Sequence, residues 1–150
     1  MGLLEMMNNQ LVYIDAAPFI YFMERNPLYN EPLDVFFSLL NQGKVRAVTS
    51  IITLTEVLIK PYRAKQWMLA KKYESIFQET SDLVLLSADA EVGRLAAQLR
   101  ASYALMTPDA IHLATAKIHR ADFFLTNDSD FRKVDPTDQR LPKIVFIDEL

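Results

Sequence analysis

Cysteine is absent from the 150 residues, which removes disulfides, thiolate nucleophiles and thiolate zinc sites, and is compatible with a reducing compartment. Glycine is scarce at three. No Gly-x-Gly-x-x-Gly follows any predicted strand and no Gly-x-x-x-x-Gly-Lys occurs, so the familiar nucleotide cradles are missing. A Gly-x-Ser-x-Gly nucleophile elbow is missing too. The two histidines, His112 and His119, lie on one predicted helix with no zinc-pair spacing, and each reads as a packing or helix-surface residue. No apolar run approaches the roughly 18 residues needed to span a bilayer. Residues 1–10 lack the basic start and apolar core of a signal peptide, and Met6 stands where a myristoylation pattern needs Ser or Thr. The chain is therefore expected to be soluble and cytoplasmic, with no membrane partner. Its net charge of −3 argues against binding nucleic acid through bulk positive charge, while leaving room for a local basic rim.

Half of the residues are hydrophobic, 51%, and a chain of this length buries about two-thirds of its unfolded surface. One domain over 1–150 is expected, with 1–10 as a loosely ordered extension. Leu11-Val12-Tyr13-Ile14 is a short apolar run that stops at Asp15, and reads as a first central strand. Helical stretches follow after Ala16-Ala17-Pro18, broken by Asn26-Pro27, and over 33–41, where Leu33, Phe36, Phe37 and Leu40 form a stripe that Gly43 ends. Arg46-Ala47-Val48-Thr49 is a weak strand. A helix over 53–59 places Glu56 in its first turn, and Pro61 closes it. Residues 66–78 read as an amphipathic helix with Leu69, Tyr73, Ile76 and Phe77 inward. Leu83-Val84-Leu85-Leu86 is another strand, and 90–103 is a strong helix. Thr107 can cap the next helix, with Pro108 at its first position and Asp109 where the dipole favours negative charge. Phe123-Phe124-Leu125-Thr126 and Ile144-Val145-Phe146-Ile147 supply the last strands. Unbroken apolar strands alternating with helices indicate an α/β chain, a mostly parallel sheet covered on both faces.

Carboxylates recur at matching places in this pattern. Asp15 and Asp128 follow strands, while Glu56 and Asp109 open helices, and strand ends and helix starts share one edge of a parallel sheet. Side-chain oxygens gathered without sulfur or imidazole suit a hard cation such as Mg²⁺ or Mn²⁺, which relieves their mutual repulsion. Such an ion completes its shell with phosphate oxygens and activates water, so the chemistry implied is phosphodiester hydrolysis. Each acid also has a structural reading. Thr53-Leu54-Thr55-Glu56 fits a capping box, and Asp109 complements a helix dipole. Asp15 can cap the helix after it, and Asp128 or Asp130 a short turn. Asp130 competes with Asp128 as the fourth ligand, and Asp128 is preferred because it is nearer the strand end. A haloacid-dehalogenase-type phosphatase would want Asp-x-Asp at the first strand, where position 17 is Ala; a receiver domain would want an acidic pair there.

Tyr13-Ile14-Asp15, Thr55-Glu56, Thr107-Pro108-Asp109-Ala110 and Thr126-Asn127-Asp128-Ser129-Asp130-Phe131, in this order and spacing, resemble the PIN-domain family, and within it the VapC-type ribonucleases of toxin–antitoxin pairs. The resemblance covers nearly the whole chain. It implies a three-layer α/β/α sandwich and Mg²⁺- or Mn²⁺-dependent cleavage of single-stranded RNA. It also implies a homodimer and a small antitoxin protein that blocks the site. Carried over, Asp15, Glu56, Asp109 and Asp128 form the acidic cluster and Thr126 is an accessory hydroxyl. The chain departs from the family in having Ala16-Ala17 where polar side chains often follow the first Asp, which motivates an alternative: a catalytically weak PIN-fold binding or assembly module.

Phosphate contacts must come from the rim of an acidic centre. Lys60, Arg63, Lys65, Lys71 and Lys72 form the densest basic group, with Tyr62 and Trp67 interleaved as candidate stacking residues. Arg132 and Lys133 lie closer to the last acidic motif. A solvated helix face with aromatic packing is the favoured reading of the first group. Exposed members of the aromatic-rich region 19–37 could serve a protein interface, although burial in the core explains them as well.

Overall fold

A computed structural model describes residues 2–150; Met1 of the segment 1–10 lies outside the described residues. The chain begins with a single turn, α1 (Leu3–Met6), and Met7 behind it is buried. Five strands follow in the α/β alternation that the sequence announces: β1 (Leu11–Ile14), β2 (Arg46–Ser50), β3 (Leu83–Leu86), β4 (Phe123–Thr126) and β5 (Lys143–Phe146). All pair in parallel, in the order β3-β2-β1-β4-β5.

Helices α2 (Ala16–Met23), α3 (Asn30–Asn41), α4 (Ile51–Arg63) and α5 (Trp67–Glu79) contribute to the core on one face, and α6 (Ala90–Tyr103) and α7 (Thr107–Ile118) to the core on the other. The strand alternation divides the two cores. Val12, Ile14, Phe123 and Leu125 join the first with Phe19, Phe36 and Phe77, while Tyr13 and Phe124 join the second with Leu99 and Leu113. The result is a three-layer α/β/α sandwich.

Chain order fixes where a site can form. β1, β2 and β3 step outward one way, and β4 and β5 lie on the other side of β1. The order in which strands are added therefore reverses between β1 and β4, and the crevice beyond their carboxyl ends is the place where open α/β sheets bind ligands. The ladder continues past β1 itself, because Asp15 N–H donates to the Leu125 carbonyl at 2.9 Å.

Local differences from the sequence expectations have identifiable causes. Helix α3 starts earlier than expected because Pro32 sits in its first turn, where a missing N–H costs nothing. Gly43 ends it as expected, with φ of +71°. Helix α4 is capped by Ser50, whose Oγ accepts from Ile52 N–H at 3.2 Å. Thr53 therefore lies inside the helix, the Thr53–Glu56 capping box does not form, and Glu56 falls beyond the first turn. Pro61 does not close α4 but sits buried within it; one missing donor does not stop a final turn. Thr107 is not the cap of α7. Met106 occupies that position, and the Thr107 hydroxyl instead accepts from Arg100 Nη1 at 2.9 Å. Arg100 Nε also donates to the Leu105 carbonyl at 2.7 Å, so one side chain fastens the α6–α7 turn that presents Asp109. The expectation of strands covered on both faces fails at β3, an edge strand whose Val84 is 54% exposed.

Phe124 is fully buried, stacks on Tyr13 with centroids 5.2 Å apart, and packs on Phe131 at 4.8 Å. Phe124→Ala is expected to cost about 3–5 kcal/mol of unfolding free energy by urea titration, the range for deleting a buried aromatic ring.

Candidate metal centre at the sheet switch point

Asp15, at the end of β1, is 5% exposed and doubly held. Its Oδ1 accepts from Ala16 N–H at 2.8 Å, capping α2, and its Oδ2 accepts from Thr126 Oγ1 at 2.7 Å. The Thr126 hydroxyl in turn accepts from Asp128 N–H at 3.1 Å. The end of β4 is thus tied to the end of β1 through one buried threonine. Asp128 Oδ1 accepts from Asp130 N–H at 2.9 Å and caps the short 3-10 turn Ser129–Lys133. Asp109 comes from the first turn of α7, and Glu56 from α4 with its side chain 33% exposed.

These four carboxylates line one cavity of about 270 Å³ together with Ala16, Ala17, Ile20 and Tyr21 of α2. Asp15, Glu56, Asp109 and Asp128, distant in sequence, are thus brought to one edge of the sheet. Asp130 does not line the cavity, but its carboxylate lies with those of Asp109 and Asp128, their oxygens all within 4.8 Å of one another. Ala16 and Ala17 give the cavity an apolar wall beside the acids.

The basic residues considered for a rim are dispersed. Lys133 Nζ is 3.7 Å from Asp130 and so borders the acidic group. Arg132 stacks its guanidinium 3.9 Å over the Phe146 ring and lines a different cavity, between the 3-10 turn and β5. Lys60 is paired with Glu24 at 2.9 Å, and Arg63 is exposed near the end of α4. Tyr62 and Trp67 pack on each other with centroids 5.7 Å apart.

His112 is the residue that sequence reasoning missed. It is fully buried, with Nε2 3.3 Å from Asp15 Oδ1 and 3.4 Å from Glu56 Oε2. Its Nδ1 lies 2.7 Å from the Tyr13 hydroxyl, which is 2.9 Å from Ser50 Oγ. A signal was present: His112 stands three residues after Asp109 and shares its helix face. His119 is exposed at the end of α7, as expected of a surface residue.

The electrostatics are those of crowded anions. Burial raises the Asp15 pKa against the opposing pull of His112 and Thr126. Asp109 is pushed up to about 6, first by burial and then by the charges of Asp128 and Asp15. Burial presses the His112 pKa down, but Glu56 and Asp15 outweigh it and the net direction is up. Four carboxylates on one cavity, with burial and neighbouring charge raising the pKa of Asp15 and Asp109, fit a hard divalent cation.

A PIN domain family model matches residues 12–136. Ribonuclease VapC6 of Methanocaldococcus jannaschii is 45% identical over 53 residues, 35% of this chain and 35% of that protein, so the match spans about a third of the relative's length. Among solved structures, VapBC2 from Rickettsia felis bound to a promoter DNA fragment superposes with a TM-score of 0.70 at 16% identity, over 91% of this chain and 98% of that one. A toxin–antitoxin complex from Klebsiella pneumoniae gives 0.67 at 21% identity, over 93% and 99%. VapC20 from Mycobacterium tuberculosis, a toxin that cleaves the sarcin–ricin loop, gives 0.62 at 13% identity, over 81% and 92%. At these identities the structural likeness establishes the fold.

Because the Asp109 pKa is raised on folding, the metal-free folded chain holds that proton more tightly than the unfolded chain does. This group therefore makes the metal-free protein more stable as pH falls from above about 6 toward the ordinary value of 3.8. Divalent-ion binding, which needs the carboxylate, should weaken over the same interval. Urea midpoints in chelator and calorimetric Mn²⁺ titrations across that range check both signs. Asp109→Asn is expected to remove this group's contribution to each.

Proposed function

The chain belongs to the PIN-domain family, and we propose that it is a Mg²⁺- or Mn²⁺-dependent endoribonuclease that cleaves single-stranded RNA as the toxin of a toxin–antitoxin pair. The observation that carries this reading is the convergence of Asp15, Glu56, Asp109 and Asp128 on one open cavity at the sheet switch point. The ribonuclease name of the M. jannaschii relative and the toxin–antitoxin titles of the structural neighbours support the substrate and the setting.

In this reading Asp15, Glu56, Asp109 and Asp128 hold the ion, with Asp130 in reserve beside Asp109. When bound, the ion offsets charge on the scissile phosphate and acidifies water. The protein's own part is preorganisation. Thr126 donates to Asp15 and accepts from the Asp128 backbone, so the carboxylates at the ends of β1 and β4 keep their spacing while substrate enters. Ala17, Ile20 and Tyr21 form an apolar wall on which a sugar or base can rest, opposite the acids. Lys133 is the basic group best placed for a flanking phosphate, and it screens Asp130 until one arrives. Lys60, paired with Glu24, and Arg132, stacked on Phe146, are engaged elsewhere, and Arg63 is exposed near the end of α4.

The proposed setting is the cytoplasm, as one domain over 1–150 that forms a homodimer and is held by a small antitoxin protein. Among the described residues no helix is long and apolar enough to cross a membrane. Phe19, Phe36 and Phe37 of the aromatic-rich region are core residues, so its share of an interface falls to the exposed Leu28 and Val35. Ile59, Tyr62, Trp67 and Met68, exposed at the α4–α5 turn, offer a second apolar surface for such a partner.

Cleavage of a panel of single-stranded RNAs tests this reading. Activity should require Mg²⁺ or Mn²⁺, vanish with chelator, and fall at least about 100-fold in Asp15→Asn and in Asp109→Asn, the scale of losing a group that acts in the transition state. Unchanged cleavage in both variants rules out this centre. Failure of the unaltered chain to bind Mn²⁺ at millimolar concentration favours instead a PIN-fold binding or assembly module, for which the Ala16–Ala17 wall is the structural motive.

A further inference from the structure

Two of the cavity's acids differ in how firmly they are held. Asp15 is anchored by Ala16 N–H and Thr126 Oγ1. The Glu56 carboxylate, a third exposed on the α4 helix, has a single side-chain hydrogen bond among the described residues, to His112 Nε2. His112 does not line the cavity and is fully buried behind it, so it reaches the acids from the protein side. Its other nitrogen is engaged by Tyr13, and Tyr13 by Ser50, both fully buried.

Heavy-atom positions leave the proton direction along this chain open, and proton counting decides it. Ser50 Oγ already accepts from Ile52 N–H, and the Tyr13 oxygen, 2.9 Å away, is its one side-chain hydrogen-bond partner among the described residues. If Ser50 donates to Tyr13, Tyr13 donates to His112 Nδ1, and the neutral imidazole must carry its proton on Nε2, facing Asp15 and Glu56. The hydroxyl protons of Ser50 and Tyr13 then both have acceptors. The opposite direction strands the Ser50 proton. It also turns a bare Nε2 lone pair toward two carboxylates, which repels them. The cationic ring carries both protons, so only the neutral ring has a choice to make.

We propose that Ser50, Tyr13 and His112 form a one-way buried relay that fixes the imidazole tautomer and aims an Nε2–H at Asp15 and Glu56. His112 is thereby a positioning residue that sets the spacing of two acids borne on different elements. This rests on the metal-centre reading of the four acids, and it adds residues outside the acidic cluster. The partner that orients a ligating group commonly governs metal affinity by about 10–100-fold. Here that partner is an imidazole whose own orientation is set by a tyrosine on β1.

The test reads the tautomer directly. In ¹⁵N-histidine-labelled protein, with His119→Gln used to assign the two rings, long-range ¹H–¹⁵N spectra are recorded in buffer alkaline enough to give the neutral ring, with and without Mg²⁺. The expected result is a protonated Nε2 and an acceptor Nδ1 at His112. A neutral ring with its proton on Nδ1 overturns the relay. Tyr13→Phe keeps the ring that stacks on Phe124 and removes only the hydroxyl. It should release the Nδ1–H tautomer and weaken Mg²⁺ and Mn²⁺ binding about tenfold in calorimetry. His112→Gln, which retains an N–H donor at similar reach, should keep more affinity than His112→Leu, which retains none. Equal affinity in Tyr13→Phe and the unaltered chain overturns the proposal, as does a directly coordinated nitrogen in pulsed electron-paramagnetic spectra of bound Mn²⁺. If the unaltered chain binds neither ion, the metal reading fails by itself, and the tautomer still decides the relay.

Discussion

Carboxylates of one sign pressed into a single crevice are the constraint on which the site depends, and packing elsewhere imposes it. β1 and β4 lie side by side because Val12, Ile14, Phe123 and Leu125 bury together on one face and Tyr13 and Phe124 on the other. That burial leaves no freedom at the strand ends, where Asp15 and Asp128 must sit within reach of one threonine. Repulsion has two outlets, taking up a proton or taking up a cation. The rise of the Asp109 pKa to about 6, driven first by burial and then by the charges of Asp128 and Asp15, shows the first outlet. A divalent ion is the second, and it displaces the first, since the same oxygens are needed for both.

Much of this was legible in the sequence because the strongest signals are local. Leu11-Val12-Tyr13-Ile14 and Phe123-Phe124-Leu125-Thr126 are strands in sequence and in structure, since an unbroken apolar run of that length suits a strand covered on both faces. Helix α6 runs over 90–103 as its stripe predicts. The same rule misled at β3. Its apolar run is as strong as the others, but it has a neighbour on one side only, and the Val84 side chain is open to solvent. A run of apolar residues reports that a strand is wanted, without reporting its rank in the sheet.

What stayed hidden depended on where one element hands over to the next and on side-chain partners from other elements. The Ser50 cap displaced Thr53 because Ser50 ends β2, and helix α4 begins as soon as the strand stops. Thr107 lost its expected capping role to Met106 because Arg100, seven residues earlier, claims its hydroxyl. His112 was hardest to place. Its immediate sequence neighbours are apolar, and its partners Tyr13, Asp15 and Glu56 come from β1, the β1–α2 junction and α4. Only the closed sheet order brings those together on one imidazole.

The structural and functional readings of each acid turn out not to compete. Asp15 caps α2, yet the capping N–H, after His112 and Thr126, also favours its charged form against the burial that opposes it. Asp128 caps the 3-10 turn and simultaneously offers its carboxylate to the cavity. A cap fixes a carboxyl group's position within a fraction of an ångström, which a coordinating group needs and a free surface acid lacks. Substitution by Ala removes position and charge together and cannot tell the roles apart. Asn keeps an oxygen that can still accept the capping N–H while deleting the charge, so a fold that tolerates Asn while losing the ion separates them.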